Sequence, residues 1–91
     1  MNLTDSFSAP QHVVARVVGD ETVILDLQSG VYFGLDPVGT EIWKLMSAGS
    51  SLGEICTALL DRYEVTAAQL ELDVLRLAGE LQSRGLILPI P

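Results

Sequence analysis

The stretch Gly30-Val31-Tyr32-Phe33-Gly34-Leu35-Asp36-Pro37-Val38-Gly39-Thr40-Glu41-Ile42-Trp43 decides how the chain folds, because the sequence period changes inside it. From Val31 to Leu35 the residues are mostly β-branched, aromatic or small, as in a short strand. Val31, Phe33 and Leu35 share one face; Tyr32 and Gly34 share the other. Asp36-Pro37 then starts a helix, with a carboxylate at the N-cap and a ring that presets φ at the first helical position. Val38, Ile42, Leu45 and Met46 form one apolar stripe, flanked by Trp43. This helix ends near Ala48-Gly49.

Working outward toward the N-terminus, His12 to Val18 (HVVARVV) reads as a first strand and Thr22 to Leu27 (TVILDL) as a second. Val23, Leu25 and Leu27 fall on one face of the second strand. Gly19-Asp20-Glu21 and Gln28-Ser29-Gly30 are turns. Strands spaced this closely, with glycine in the turns, form an antiparallel meander. Residues 1–11 are polar, with Pro10 near their end, and read as a flexible lead-in.

Toward the C-terminus, Ser51 to Glu54 (SLGE) has the pattern of a capping box and opens a second helix. Its Leu52, Ile55, Cys56, Leu59, Leu60 and Tyr63 lie within about 140° of arc. Thr66 to Gln69 (TAAQ) is a second such pattern and opens a third helix to about Arg84, with Gly85 as the C′ residue. Leu70, Val74, Leu77, Ala78 and Leu81 make its core stripe. Leu72 and Leu75 add a second apolar patch, and Asp73, Arg76 and Glu80 a charged strip. Leu86-Ile87-Leu88 reads as a short terminal strand or tail. Three strands followed by three helices make one α+β domain over residues 12–88. Two short capped helices joined by a brief turn, beside a small sheet, suggest a winged helix-turn-helix-like arrangement.

Composition narrows the function. A chain of 91 residues holds one modest core. Twelve acidic residues against five basic ones give a net charge of −7, which opposes binding to a phosphate backbone. A basic partner fits better, although acidity also serves solubility alone. The single cysteine, Cys56, permits no internal disulfide and suits a reducing compartment, so the cytoplasm is the expected location. Residues 1–10 do not read as a signal peptide, and no run reaches the roughly 18 apolar residues of a membrane span.

Catalytic chemistry is sparse. The only histidine, His12, starts the first strand, and Cys56 lies on an apolar helix face. Neither has an evident third partner for nucleophilic catalysis. One histidine and one cysteine do not make a typical zinc site. Gly30, Gly34 and Gly39 are not a phosphate loop; Gly39 falls inside a helix and reads as allowing close packing against a neighbouring backbone. The expectation is no catalytic residue, no metal and no cofactor.

The Gly30-to-Trp43 stretch also resembles the central signature of the PqqD-like family: Gly, any residue, Tyr, two residues, Leu, Asn or Asp, two residues, Gly, two residues, then Ile-Trp. Ser51 to Tyr63 (SLGEICTALLDRY), Asp73-Val74, Leu77, Leu81 and Gly85-Leu86 are similar to the family's later helices and exit. The resemblance implies a winged-helix-like domain that recognises leader peptides of ribosomally made, modified peptides. The Gly-x-Tyr-Phe-Gly-Leu-Asp form looks most like the stand-alone lasso-peptide members, which present a precursor to a separate leader-cleaving cysteine protease. Founding members instead pass a precursor peptide to a radical enzyme in quinone-cofactor synthesis.

The third strand is an expected sheet edge, open to strand addition by an extended peptide. Val31, Tyr32, Phe33 and Gly34 are candidate peptide-binding residues on it. Leu72, Asp73, Arg76, Leu77 and Glu80 are candidates on the third helix. If the Phe33 N–H pairs with the peptide, proline there weakens binding. Plainer readings remain: Val31, Phe33 and Leu35 as core, Tyr32 as a surface aromatic, Leu72 and Leu75 packed under the N-terminal segment. A DNA-binding winged helix and a regulatory enzyme subunit are the rival functions. Arg76 and Arg84 against Glu71, Asp73 and Glu80 count against DNA.

Overall fold

The computed structural model describes all 91 residues. Chain order is β1 (Phe7–Ser8), β2 (Val13–Val18), β3 (Glu21–Asp26), β4 (Tyr32–Leu35), α1 (Pro37–Ser47), α2 (Leu52–Leu60), α3 (Ala67–Ser83) and β5 (Leu88–Pro89). Strands β2, β3 and β4 form an antiparallel meander in that order, and the three helices follow, as expected of an α+β domain. A second, two-stranded ribbon joins β1 to β5.

The helix boundaries lie where capping chemistry put them. Asp36 Oδ1 accepts the Gly39 N–H at 2.7 Å, and Pro37 opens α1. Ser51 and Glu54 satisfy each other's backbone N–H groups at 3.2 and 2.8 Å, a complete capping box. Thr66 completes only half of one: its hydroxyl accepts the Gln69 N–H, but the Gln69 side chain donates to Asp73 instead. Gly85 takes φ +73 directly after the α3 C-cap, which a side chain would resist.

Residues 1–11 depart from the flexible lead-in expected of them. Phe7 is 2% exposed and belongs to the core. The Leu52 and Gly53 N–H groups, otherwise unpaired at the start of α2, donate to the Asp5 and Leu3 carbonyls at 3.0 and 2.8 Å. A Cβ on Gly53 would stand 3.2 Å from that Leu3 oxygen. Ile90 N–H donates to Ser6 at 2.8 Å, so the two ends of the chain hold each other. Polarity suggested a loose segment; one aromatic and three backbone bonds override it.

The core lies between the sheet and the helices. α2 and α3 pack side by side, Leu52, Ile55 and Leu59 facing Leu70, Val74, Ala78 and Leu81. Trp43 is buried with them, Leu77 only partly. The sheet's buried face is the reverse of the apolar set grouped on the second strand. Ile24 and Thr22 are buried, whereas Val23 and Leu27 are exposed. The buried hydroxyls of Thr22 and Thr40 bond to one another at 2.9 Å, which lets a polar residue occupy the inner face. Gly39 does permit a close approach, but to the Leu35 and Asp36 side chains rather than to a backbone.

Candidate peptide-binding groove

β4 pairs with β3 on one side only, so its other side is a free edge. The register fixes which groups are free. Asp26 N–H donates to the Val31 oxygen at 3.0 Å, and Ile24 and Thr22 stand opposite Phe33 and Leu35. Hydrogen-bonded pairs alternate in an antiparallel ladder, so Val31, Phe33 and Leu35 turn their main-chain groups to β3. Tyr32 and Gly34 turn theirs to the open edge. Phe33 N–H is therefore a ladder donor, and the proline test proposed there belongs at Tyr32 or Gly34.

Beside this edge runs a groove of about 560 Å³. β4 forms one wall with Phe33, Gly34 and Leu35, and α3 the other with Asp73, Arg76, Leu77 and Glu80. The first turns of α1 close it with Asp36, Val38, Gly39 and Ile42. The groove has an apolar floor between charged rims, the pattern of a site that accepts apolar side chains and orients them with a few polar ones. The carboxylates are already engaged: Asp36 at its cap, Asp73 with Gln69 at 2.9 Å and Arg76 at 3.9 Å, Glu80 with Arg84 at 3.2 Å.

Six of the nine candidate residues line this groove: Phe33, Gly34, Asp73, Arg76, Leu77 and Glu80. Val31 lines an adjoining hollow of about 260 Å³ with Asp26, Ser29, Phe33, Arg84 and Leu86. Tyr32 is 68% exposed on the outer sheet face and offers the edge its backbone rather than its ring. Leu72 is exposed but stands on the flank of α3, outside the lining.

Sequence reasoning missed Leu35, Asp36, Val38, Gly39 and Ile42, having assigned Asp36 to capping, Gly39 to close packing and the other three to the core. The last four also line the groove because the start of α1 is its end wall. It missed Arg84 as well, whose guanidinium lies 4.8 Å from the centre of the Phe33 ring, a cation–π contact where the groove meets the hollow. Nothing in the spacing of Phe33 and Arg84 announces that contact.

A larger concavity of about 700 Å³ lies between the N-terminal segment, α2 and the start of α3. Cys56 is in its lining; burial, then the Glu71 carboxylate, pushes the thiol pKa up. It has no strand edge and none of the candidate residues.

The family model for coenzyme PQQ synthesis protein D (PqqD) matches residues 21–87. The chain belongs to the PqqD family. Two solved structures are similar to this PqqD-family chain. One is TbiB1 in complex with the TbiA(beta) leader peptide, 36% identical, covering 88% of this chain and 93% of that one, with a TM-score of 0.84. The other is lasso peptide synthetase B1 complexed with the leader peptide, 26% identical, covering 92% and 99%, with a TM-score of 0.85. Among curated protein sequences, none matches. The family and both neighbours agree with the lasso-type PqqD-like resemblance read from Gly30 to Trp43. No helix is long and apolar enough to cross a membrane.

Proposed function

We propose that this chain is a non-catalytic adaptor that binds the leader of a ribosomally synthesised precursor peptide and presents it to a separate processing enzyme. The observation that carries this reading is the open β4 edge lying along a groove walled by α3. An extended peptide adds to the edge through the main-chain groups of Tyr32 and Gly34. Its alternate side chains enter the apolar floor at Phe33, Leu35 and Leu77. Both similar structures hold a leader peptide, which supports the same class of ligand here.

The processing enzyme we propose is a leader-cleaving cysteine protease of a lasso-peptide pathway, acting in the cytoplasm. Delivery to a radical SAM enzyme of quinone-cofactor synthesis is the alternative within the family. Holding a leader raises the local concentration of precursor at that enzyme. DNA binding fits poorly: Arg76 on α3 and Arg84 at its C-cap are both paired with carboxylates.

The test is a titration of the ¹⁵N-labelled domain with the leader peptide encoded beside its gene. Saturable shifts at Tyr32, Gly34, Leu77 and Arg84 are expected. Absence of saturable binding refutes the adaptor reading. Shifts centred on Cys56 and Thr57 would move the site to the other concavity.

A further inference from the structure

The sheet has two faces, and the core uses one. In the register, Val14 stands opposite Leu25 and Leu25 opposite Tyr32; Arg16 stands opposite Val23 and Val23 opposite Gly34. Val23 is exposed while Thr22 and Ile24 are buried, so both rows lie on the outer face. An antiparallel sheet with one face in water ordinarily alternates apolar residues inward with polar residues outward. This sheet does not. Its outward positions hold Val14, Val18, Val23, Leu25, Leu27 and Tyr32, with Glu21 at the turn end. Val14, Val18 and Leu27 are 45%, 61% and 58% exposed.

One cation stands among them. Of the five basic residues, Lys44 and Arg62 reach Glu41, Arg76 reaches Asp73 and Arg84 reaches Glu80. Arg16 reaches no carboxylate. In a chain of net charge −7, the one unpaired guanidinium sits between exposed apolar side chains. Apolar area with an aromatic and an arginine is the make-up of an interface centre. The guanidinium also says what the partner brings, a carboxylate set in an apolar surface. The same face on a second copy has only Glu21, at its margin, so the occupant is a different protein.

The face runs on to the peptide edge. Tyr32 turns its ring to this face and its main-chain groups to the open edge. Gly34 has no side chain, and nothing stands within 4 Å of where its Cβ would be. A peptide strand added at β4 sends alternate side chains to opposite faces. Those opposite Phe33 enter the groove, and those opposite Tyr32 and Gly34 join the outer face. Across the bare Gly34 position, one of them continues the row of Arg16 and Val23.

We infer that this outer face is the docking surface for the processing enzyme, which meets Arg16 with a carboxylate and reads the leader's outward side chains as an extension of the same surface. The identity of the partner rests on the adaptor reading. The enzyme then binds the leader-loaded chain more tightly than the empty one. By linkage, it tightens the leader by the same factor.

The test is biolayer interferometry of the whole chain against the leader-cleaving cysteine protease encoded beside its gene, with and without saturating leader peptide. Bound leader should lower the protease Kd by roughly fivefold or more. Arg16→Glu should weaken protease binding roughly tenfold, while the leader Kd and far-UV circular dichroism stay unchanged. Lys44→Glu makes the same change of charge on α1, away from the face, and should leave protease binding intact. No protease binding to the wild-type chain overturns the inference, and so does equal binding by wild type and Arg16→Glu. Equal weakening by Lys44→Glu would reduce the effect to net charge and also overturns it. A protease Kd indifferent to the leader overturns the shared surface. A chain that binds no leader, yet binds protease through Arg16, sinks the adaptor reading and leaves the docking face standing, so the two fail separately.

Discussion

Replacing Tyr32 by proline separates strand addition from simple groove binding. Tyr32 N–H points to the open edge, so proline removes a donor that the fold itself does not use. The first residue of an edge strand is a position proline tolerates. The phenol ring is 68% exposed, and its loss leaves no cavity. A peptide paired there loses one main-chain bond, worth about 0.5–1.5 kcal/mol net. Its own carbonyl is then left unpaired beside the ring, which raises the cost to about 1–3 kcal/mol. At about 1.4 kcal/mol per tenfold, Kd should rise roughly 5- to 150-fold. Phe33→Pro is the contrast: it removes the donor that pairs with Ile24 inside the sheet and should lower the melting temperature. Isothermal titration calorimetry with the leader peptide measures the first effect, and thermal denaturation the second. An unchanged Kd for Tyr32→Pro, with the fold intact, refutes strand addition at β4.

Three further predictions concern the frame of the site. Thr40→Val strands the Thr22 hydroxyl inside the core and should cost about 1–3 kcal/mol, whereas the Thr22→Val, Thr40→Val pair should recover part of it; additive losses in urea denaturation would deny the coupling. Glu54 has its pKa lowered, first by the Ser51 backbone N–H and then by the Ser51 side chain. A lowered folded pKa supplies stability that is whole above the ordinary value of 4.5 and is lost as pH falls through the folded value. Glu54→Gln should flatten the acid limb of the stability profile, and an unchanged limb counts against the capping box. The Cys56 thiol, raised by burial and by Glu71, should react with iodoacetamide at neutral pH more slowly than a free cysteine; equal rates would place it in open solvent.

Much of the fold is local chemistry and was legible as such. Asp36-Pro37, the Ser51–Glu54 box, Thr66 and Gly85 act over three or four residues, and each marks a boundary where the structure has one. Six candidate groove residues are brought together because two signals pointed the same way: an apolar strand at a sheet edge and a helix with more apolar and charged surface than one core stripe needs. Val38, Ile42 and Arg84 escaped notice. Their part in the groove depends on where α1 ends up beneath β4 and where the last turn of α3 meets Phe33.

By itself the sequence determined the order of strands and helices, their caps, and the acidic surface that disfavours nucleic acid. These follow from residue types at short separation, where backbone geometry leaves little choice. The tertiary structure alone decided three things. It chose the buried face of β3, since both faces of that strand are apolar enough and only the Thr22–Thr40 bond and the register select one. It fastened the N-terminal segment to the C-terminal tail, a pairing across more than eighty residues that no local pattern encodes. And it assigned the open edge of β4 to Tyr32 and Gly34 instead of Phe33, because the direction of a strand's hydrogen bonds is set by its neighbour.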